Sequence, residues 1–111
     1  MNTQHITGTI KYEKEGTQYD IPHNAFVAFV RQRTGARIGV VSVTDNGKFE
    51  LNLRDEYQFN WTDDPIDLYY TDADGVVYNF NYMVGGEEKS VDLDLLYTLT
   101  QGDNPIVLTA E

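Results

Sequence analysis

The stretch Ser42-Val43-Thr44-Asp45-Asn46-Gly47-Lys48-Phe49-Glu50-Leu51-Asn52-Leu53 decides the fold. Before its centre, Val41 and Val43 alternate with Ser42 and Thr44; after it, Phe49, Leu51 and Leu53 alternate with Lys48, Glu50 and Asn52. Period-two alternation gives each strand one apolar and one wet face. Asn46-Gly47 tolerates positive φ at both positions, so the spacing predicts a β-hairpin with a tight turn. A hairpin with one apolar face must cover something.

The rest of the chain supplies what it covers. Ile6, Gly8, Ile10 and Tyr12 share one face of a first strand over residues 5–12, against Thr7, Thr9 and Lys11. Residues 13–20 are polar, contain Gly16 and read as a turn or loop. Residues 24–31 form a continuous apolar run whose Phe and Val content predicts a strand covered on both faces. Gly35 turns the chain into a strand over 38–44. Residues 54–64 are undecided between an edge strand and a long loop closed by Pro65. Residues 66–71 read as a strand, Asp72-Ala73-Asp74-Gly75 as a second hairpin turn, and 76–83 as the returning strand, with Val76, Tyr78, Phe80 and Tyr82 on one face. Gly85-Gly86 breaks the chain. Residues 89–99 alternate again, although 92–101 also carries a leucine stripe compatible with a helix. Residues 106–109 form a last strand. Seven or eight short strands separated by turn signals predict an all-β fold, an antiparallel β-sandwich in a single domain spanning 1–111.

Ile6-Thr7-Gly8-Thr9-Ile10, Asn24-Ala25-Phe26-Val27-Ala28-Phe29 and Val43-Thr44-Asp45-Asn46-Gly47-Lys48-Phe49-Glu50-Leu51 together resemble the carboxypeptidase-regulatory-like domains, which have a transthyretin-like (prealbumin-like) Greek-key sandwich. Gly8, Ala25 and Thr44 through Leu51 carry the match, over about the first half of the chain. Beyond it, Asp55-Glu56-Tyr57 stands where such domains usually open the next strand on a Gly-Tyr pair. The resemblance implies a non-catalytic structural or interaction module of the kind found on enzymes, surface proteins and phage or injection-type assemblies, here an accessory virion subunit. The related transthyretin-like hydrolases end in Tyr-Arg-Gly-Ser and use paired histidines. This chain ends Leu108-Thr109-Ala110-Glu111, which disfavours that enzymatic branch.

Composition narrows the chemistry. The 111 residues carry a net charge of −10 and no Cys. Disulfides, thiol catalysis and thiolate metal sites are excluded. Residues 31–54 hold five bases and two acids, whereas residues 55–111 hold thirteen acids and one base. Such a surface repels polyanions, so nucleic acid is not an expected partner. No apolar run approaches the roughly 18 residues of a membrane span, and the first residues lack the charge and apolar core of a secretion signal. Localisation is otherwise open.

Catalytic constellations are thin. The histidines are His5 and His23, and the serines are Ser42, inside a strand, and Ser90, at the start of one, so neither is poised at a turn for a triad. Neither histidine has a partner at metal-ligand spacing. Lys11, Glu50 and Asn104 have the chain order of an intramolecular isopeptide bond, but Lys11 and Glu50 fall on polar faces. Asp63, Asp64, Asp72 and Asp74 supply hard oxygens for calcium without completing an EF-hand loop; the competing reading makes Asp74-Gly75 a type I′ turn with Asp72 as turn acid. No cofactor is expected.

Two surfaces remain. Tyr57, Trp61, Tyr69 and Tyr70 form a candidate stacking platform for a glycan, or else pack in the core. Arg31, Arg33 and Arg37 share one polar turn and would suit carboxylates such as Asp63, Asp64 or Glu87 of a neighbouring copy, making protein contact or self-association the expected partner class.

Overall fold

The computed structural model describes residues 4–22, 25–44, 47–53, 65–99 and 106–110. They form strands β1 (Gln4–Lys14), β2 (Thr17–Tyr19), β3 (Phe26–Arg31), β4 (Arg37–Ser42), β5 (Lys48–Leu53), β6 (Ile66–Thr71), β7 (Phe80–Val84), β8 (Glu87–Val91), β9 (Leu95–Leu99) and β10 (Ile106–Ala110), with no helix among the described residues. The all-β expectation holds. The helix alternative for 92–101 does not, because Leu95–Leu99 pairs as a strand with β6. Segment 54–64 lies outside the described residues.

In the first sheet, β1 lies between β10 on one side and β2 and β5 on the other. The second runs β4-β3-β6-β9, and β7 and β8 form a separate two-stranded ribbon. One pairing departs from the antiparallel expectation. β10 runs parallel to β1, from Gly8 opposite Ile106 to Tyr12 opposite Ala110.

The core lies between the two sheets. Ile6, Ile10, Tyr12, Phe49 and Leu108 of the first sheet join Val27, Phe29, Ile66, Leu68, Tyr70 and Leu99 of the second in one buried cluster. Phe29 and Phe49 bridge the sheets with ring centroids 5.8 Å apart. Burying each such side chain contributes roughly 2–3 kcal/mol before the entropy of ordering is counted. Val27, Ala28 and Phe29 are buried in succession, as the continuous apolar run required. β3 is central in its sheet; Val27 and Phe29 face the core, whereas Phe26 and Val30 on the other face are half-buried, so the second face is less covered than expected.

The turns are where the structure corrects the sequence reading. The two limbs of the expected 42–53 hairpin belong to different sheets: β4 pairs with β3, and β5 pairs with β1. Among the described residues their backbones pair at Thr44 and Lys48, where Thr44 N donates to Lys48 O (2.8 Å) and Gly47 N to Thr44 O (3.0 Å). The stretch is a corner that hands the chain from one sheet to the other. Asp45 and Asn46 lie outside the described residues. Gly47, at φ +76°, sits against the Ile10 carbonyl so closely that a Cβ would overlap that oxygen. The two-residue hairpins occur elsewhere, at Glu15-Gly16 and Gly85-Gly86, where both residues have positive φ and Lys14 faces Thr17 and Val84 faces Glu87. That pattern is the type I′ geometry, whose twist matches the flanking strands.

The Asp72–Gly75 turn forms, but not as type I′. Gly75 has positive φ and Asp74 does not. Asp72 N donates to Val76 O (3.0 Å) and Gly75 N to Asp72 O (3.1 Å), a three-residue loop closed by a left-handed glycine. The return along β6 is brief. Val77 bridges Thr71 and Tyr78 N donates to Tyr70 O (3.1 Å), after which the chain departs to build β7 against β8. Of the predicted face, Phe80 and Tyr82 are buried and Tyr78 half-buried, but Val76 is exposed.

Candidate functional site

Among the described residues, the predicted site residues do not converge on one place. Tyr57, Trp61, Asp63 and Asp64 lie outside the described residues. Tyr69 and Tyr70 are neighbours on β6, and their side chains point to opposite faces of the strand. Tyr70 points into the core and is 1% exposed, so its ring offers no stacking surface. Tyr69 is half-buried, opposite Ala28.

The three arginines also separate. Arg31 ends β3 half-buried. Its carbonyl accepts from Gly35 N (2.7 Å) and its amide donates to Ala36 O (2.8 Å), which closes the turn. Arg33 is exposed at the tip. Arg37 starts β4 and reaches across to the acidic turn, where Nη1 donates to the Asp74 carbonyl (3.0 Å) and the guanidinium packs against Gly75. The basic turn therefore clasps the Asp72–Gly75 turn of its own chain through one of its three guanidiniums.

In that acidic turn one carboxylate oxygen is engaged by the turn's own backbone. Asp72 Oδ1 accepts from the amides of Asp74 and Val76, each at 2.9 Å. This is an Asx-type closure, which accounts for an aspartate here without a cation. Among the described residues no group of three or more His, Asp or Glu side chains is arranged to hold a metal. Lys11 and Glu50 are exposed on the outer face of the first sheet, and Asn104 is outside the described residues.

Sequence reasoning missed two polar features of the second sheet. Asp67, 6% exposed within β6, accepts from Thr98 Oγ1 (2.8 Å) and Gln32 Nε2 (3.2 Å) on the same oxygen. An aspartate in an otherwise apolar strand was the available signal, because a buried carboxylate must find donors. The second feature is the Tyr70 hydroxyl. It is buried and makes no hydrogen bond of acceptable geometry, although the Tyr78 hydroxyl and the Asn81 backbone lie near enough to influence it. Desolvation, then the proximity of Tyr78, raises the Tyr70 hydroxyl's pKa far above its ordinary value; desolvation also raises that of Tyr78. The two rings meet edge-on at 4.9 Å. They continue a chain of contacts through Phe80 and Tyr12 to Tyr82 and Tyr19, with centroids 4.4–6.0 Å apart. Such packing anchors the base of the β7–β8 ribbon. Met83 N reinforces it by donating to Asp20 O (2.8 Å), and Phe80 N by donating to Leu93 O (2.7 Å).

One open groove of about 480 Å³ runs beside the corner, lined by Thr7, Thr9, Ser42, Thr44, Lys48 and Glu50 among others. It is hydroxyl-rich and shallow, without an aromatic ring exposed for stacking, since Phe49 is 3% exposed. Large apolar side chains are also exposed at Val76, Val77 and Val84, at Leu95 and Tyr97 on β9, and at Val107 on β10, which lines the groove as well.

No helix among the described residues is long and apolar enough to cross a membrane. Comparison with known protein families, with curated proteins and with solved structures finds no match to this chain.

Proposed function

We propose that the protein is a non-catalytic structural or protein-interaction module, built as a transthyretin-like β-sandwich and working as a subunit of a bacterial or phage assembly. The sandwich reading draws support from two four-stranded sheets sharing one buried cluster. The assembly setting rests on the resemblance of Gly8, Ala25 and Thr44–Leu51 to carboxypeptidase-regulatory-like domains. The observation that carries the interaction reading is the apolar exposure at Leu95, Tyr97 and Val107 in a chain with 23% charged residues. Aromatic side chains such as Tyr97 are enriched at protein contacts.

A broad glycan panel tests this against the carbohydrate-binding alternative. The proposal expects no binding. Glycan binding that disappears in Trp61→Ala would overturn it in favour of a sugar-binding module.

A further inference from the structure

A glycine after an aspartate is a chemical hazard. With no side chain on the following residue, its amide nitrogen reaches the aspartate's γ-carbon easily, and the pair closes to a succinimide. Asp74-Gly75 is such a pair, and Asp74 is exposed. The fold demands glycine at position 75. Its φ is +83°, and the Arg37 guanidinium lies where a Cβ would stand. The residue that fits the turn is therefore the one that opens Asp74 to attack.

The same turn carries a counter-measure. The peptide plane between Asp74 and Gly75 is held at both ends: its carbonyl accepts from Arg37 Nη1 (3.0 Å), and its N–H donates to Asp72 O (3.1 Å). A third bond, from Asp74 N to Asp72 Oδ1 (2.9 Å), fixes the preceding plane. The bond from Gly75 N to Asp72 O, with no positive φ at Asp74, is type I turn geometry; the Gly75 nitrogen there eclipses Asp74's own nitrogen and stands roughly a third of a turn from its side chain. Ring closure needs that rotation, which swings the Asp74 carbonyl away from Arg37 and the Gly75 amide away from Asp72.

We propose that Arg37 guards Asp74-Gly75 against conversion to isoaspartate. In the step that is held off, the Gly75 nitrogen gives up its proton and attacks Asp74 Cγ, and the protonated side-chain carboxyl loses its hydroxyl as water. Water then adds to either carbonyl of the ring and returns aspartate or isoaspartate, with no net change of mass. A guanidinium on the Asp74 carbonyl also makes the amide easier to deprotonate. The tether outweighs that effect, because a nitrogen held away from Cγ does not react however acidic it is. The guard concerns the chemical lifetime of the chain and stands whether or not the protein is an interaction module.

Ageing the full chain at neutral pH, with isoaspartate at residue 74 followed by enzymatic methylation and peptide mapping, tests the guard. Asn46-Gly47 deamidates through the same kind of ring and serves as the internal reference. Conversion at Asp74 is expected to be at least about tenfold slower in the native chain than in concentrated urea. Arg37→Met, which keeps the stem and removes the donors, should speed the native conversion at least about threefold and leave Asn46 unchanged. Arg37→Gln should do the same and replaces it if the methionine variant folds poorly. Arg33→Met, at the exposed tip of the same basic turn, should change neither site. A native rate within about twofold of the unfolded one would overturn the proposal. So would an Arg37 variant that converts no faster than the parent, or one that accelerates residues 74 and 46 alike, which would mean general loosening and not the loss of a clasp.

Discussion

The corner at Thr44–Lys48 and the tip at Val84–Glu87 use the same residue for the same φ, and differ in what surrounds it. Gly47 has φ +76° and Gly86 has φ +85°. At the corner a side chain would run into the Ile10 carbonyl, a backbone atom of the central strand of the first sheet. At the tip nothing lies within 4 Å. The conformational requirement is local and shared, but the packing requirement is long-range and belongs to the corner alone. The ribbon that carries the tip resembles the corner only at its base, where Phe80, Tyr12, Tyr70 and Tyr82 stack.

Substitutions at four positions separate these effects. Phe80→Ala should cost about 4 kcal/mol by emptying the ribbon's anchor, read from denaturant midpoints. A cost under about 1 kcal/mol would mean the ribbon is held by its backbone bonds instead. Gly47→Ala should cost about 3 kcal/mol, combining left-handed strain with displacement of β1. Tyr70→Phe should stabilise by about 1 kcal/mol, because it removes a buried hydroxyl without a partner. The same variant sharpens the pH behaviour. The folded Tyr70 keeps its proton above pH 10, the ordinary value at which the unfolded chain gives its own up. The unfolded state then binds fewer protons, so stability falls as pH rises past 10, and Tyr70→Phe should flatten that fall in alkaline unfolding curves. The smallest effect is expected at the tip. Gly86→Ala should cost about 1 kcal/mol or less, and Gly86→Asn should recover most of that, since asparagine tolerates the left-handed region. If Gly86→Ala proved as costly as Gly47→Ala, the contrast between the two turns would collapse.

Much of the core was legible because alternation survives translation into structure. Ile6, Ile10 and Tyr12, and Phe49, are buried on the predicted faces. Partner choice was not legible. Asn46-Gly47 announces a reversal but cannot say whether its two strands will pair with each other, since a three-residue turn serves a corner between sheets as readily as a hairpin. Glu15-Gly16 and Gly85-Gly86 carry weaker signals and make the two-residue hairpins. The parallel pairing of β1 with β10 has no local signature, being settled by which apolar faces remain to be covered once the rest has assembled. At the candidate site, exposure decided what residue type could not. Tyr70 and Tyr69 read alike in sequence, and one of them is sealed in the core.

The parallel β1–β10 ladder also sets an order of events during synthesis. The first strand made is the central strand of its sheet, and one of its flanks is filled only by residues 106–110. Until they leave the ribosome, Gly8 and Thr9 have β5 on one side and an open rim on the other. Contacts this distant along the chain make folding slow, in the millisecond-to-second range typical of all-β topologies. The nascent chain therefore waits on its last strand, and trimming that strand should slow productive folding more than its few residues suggest.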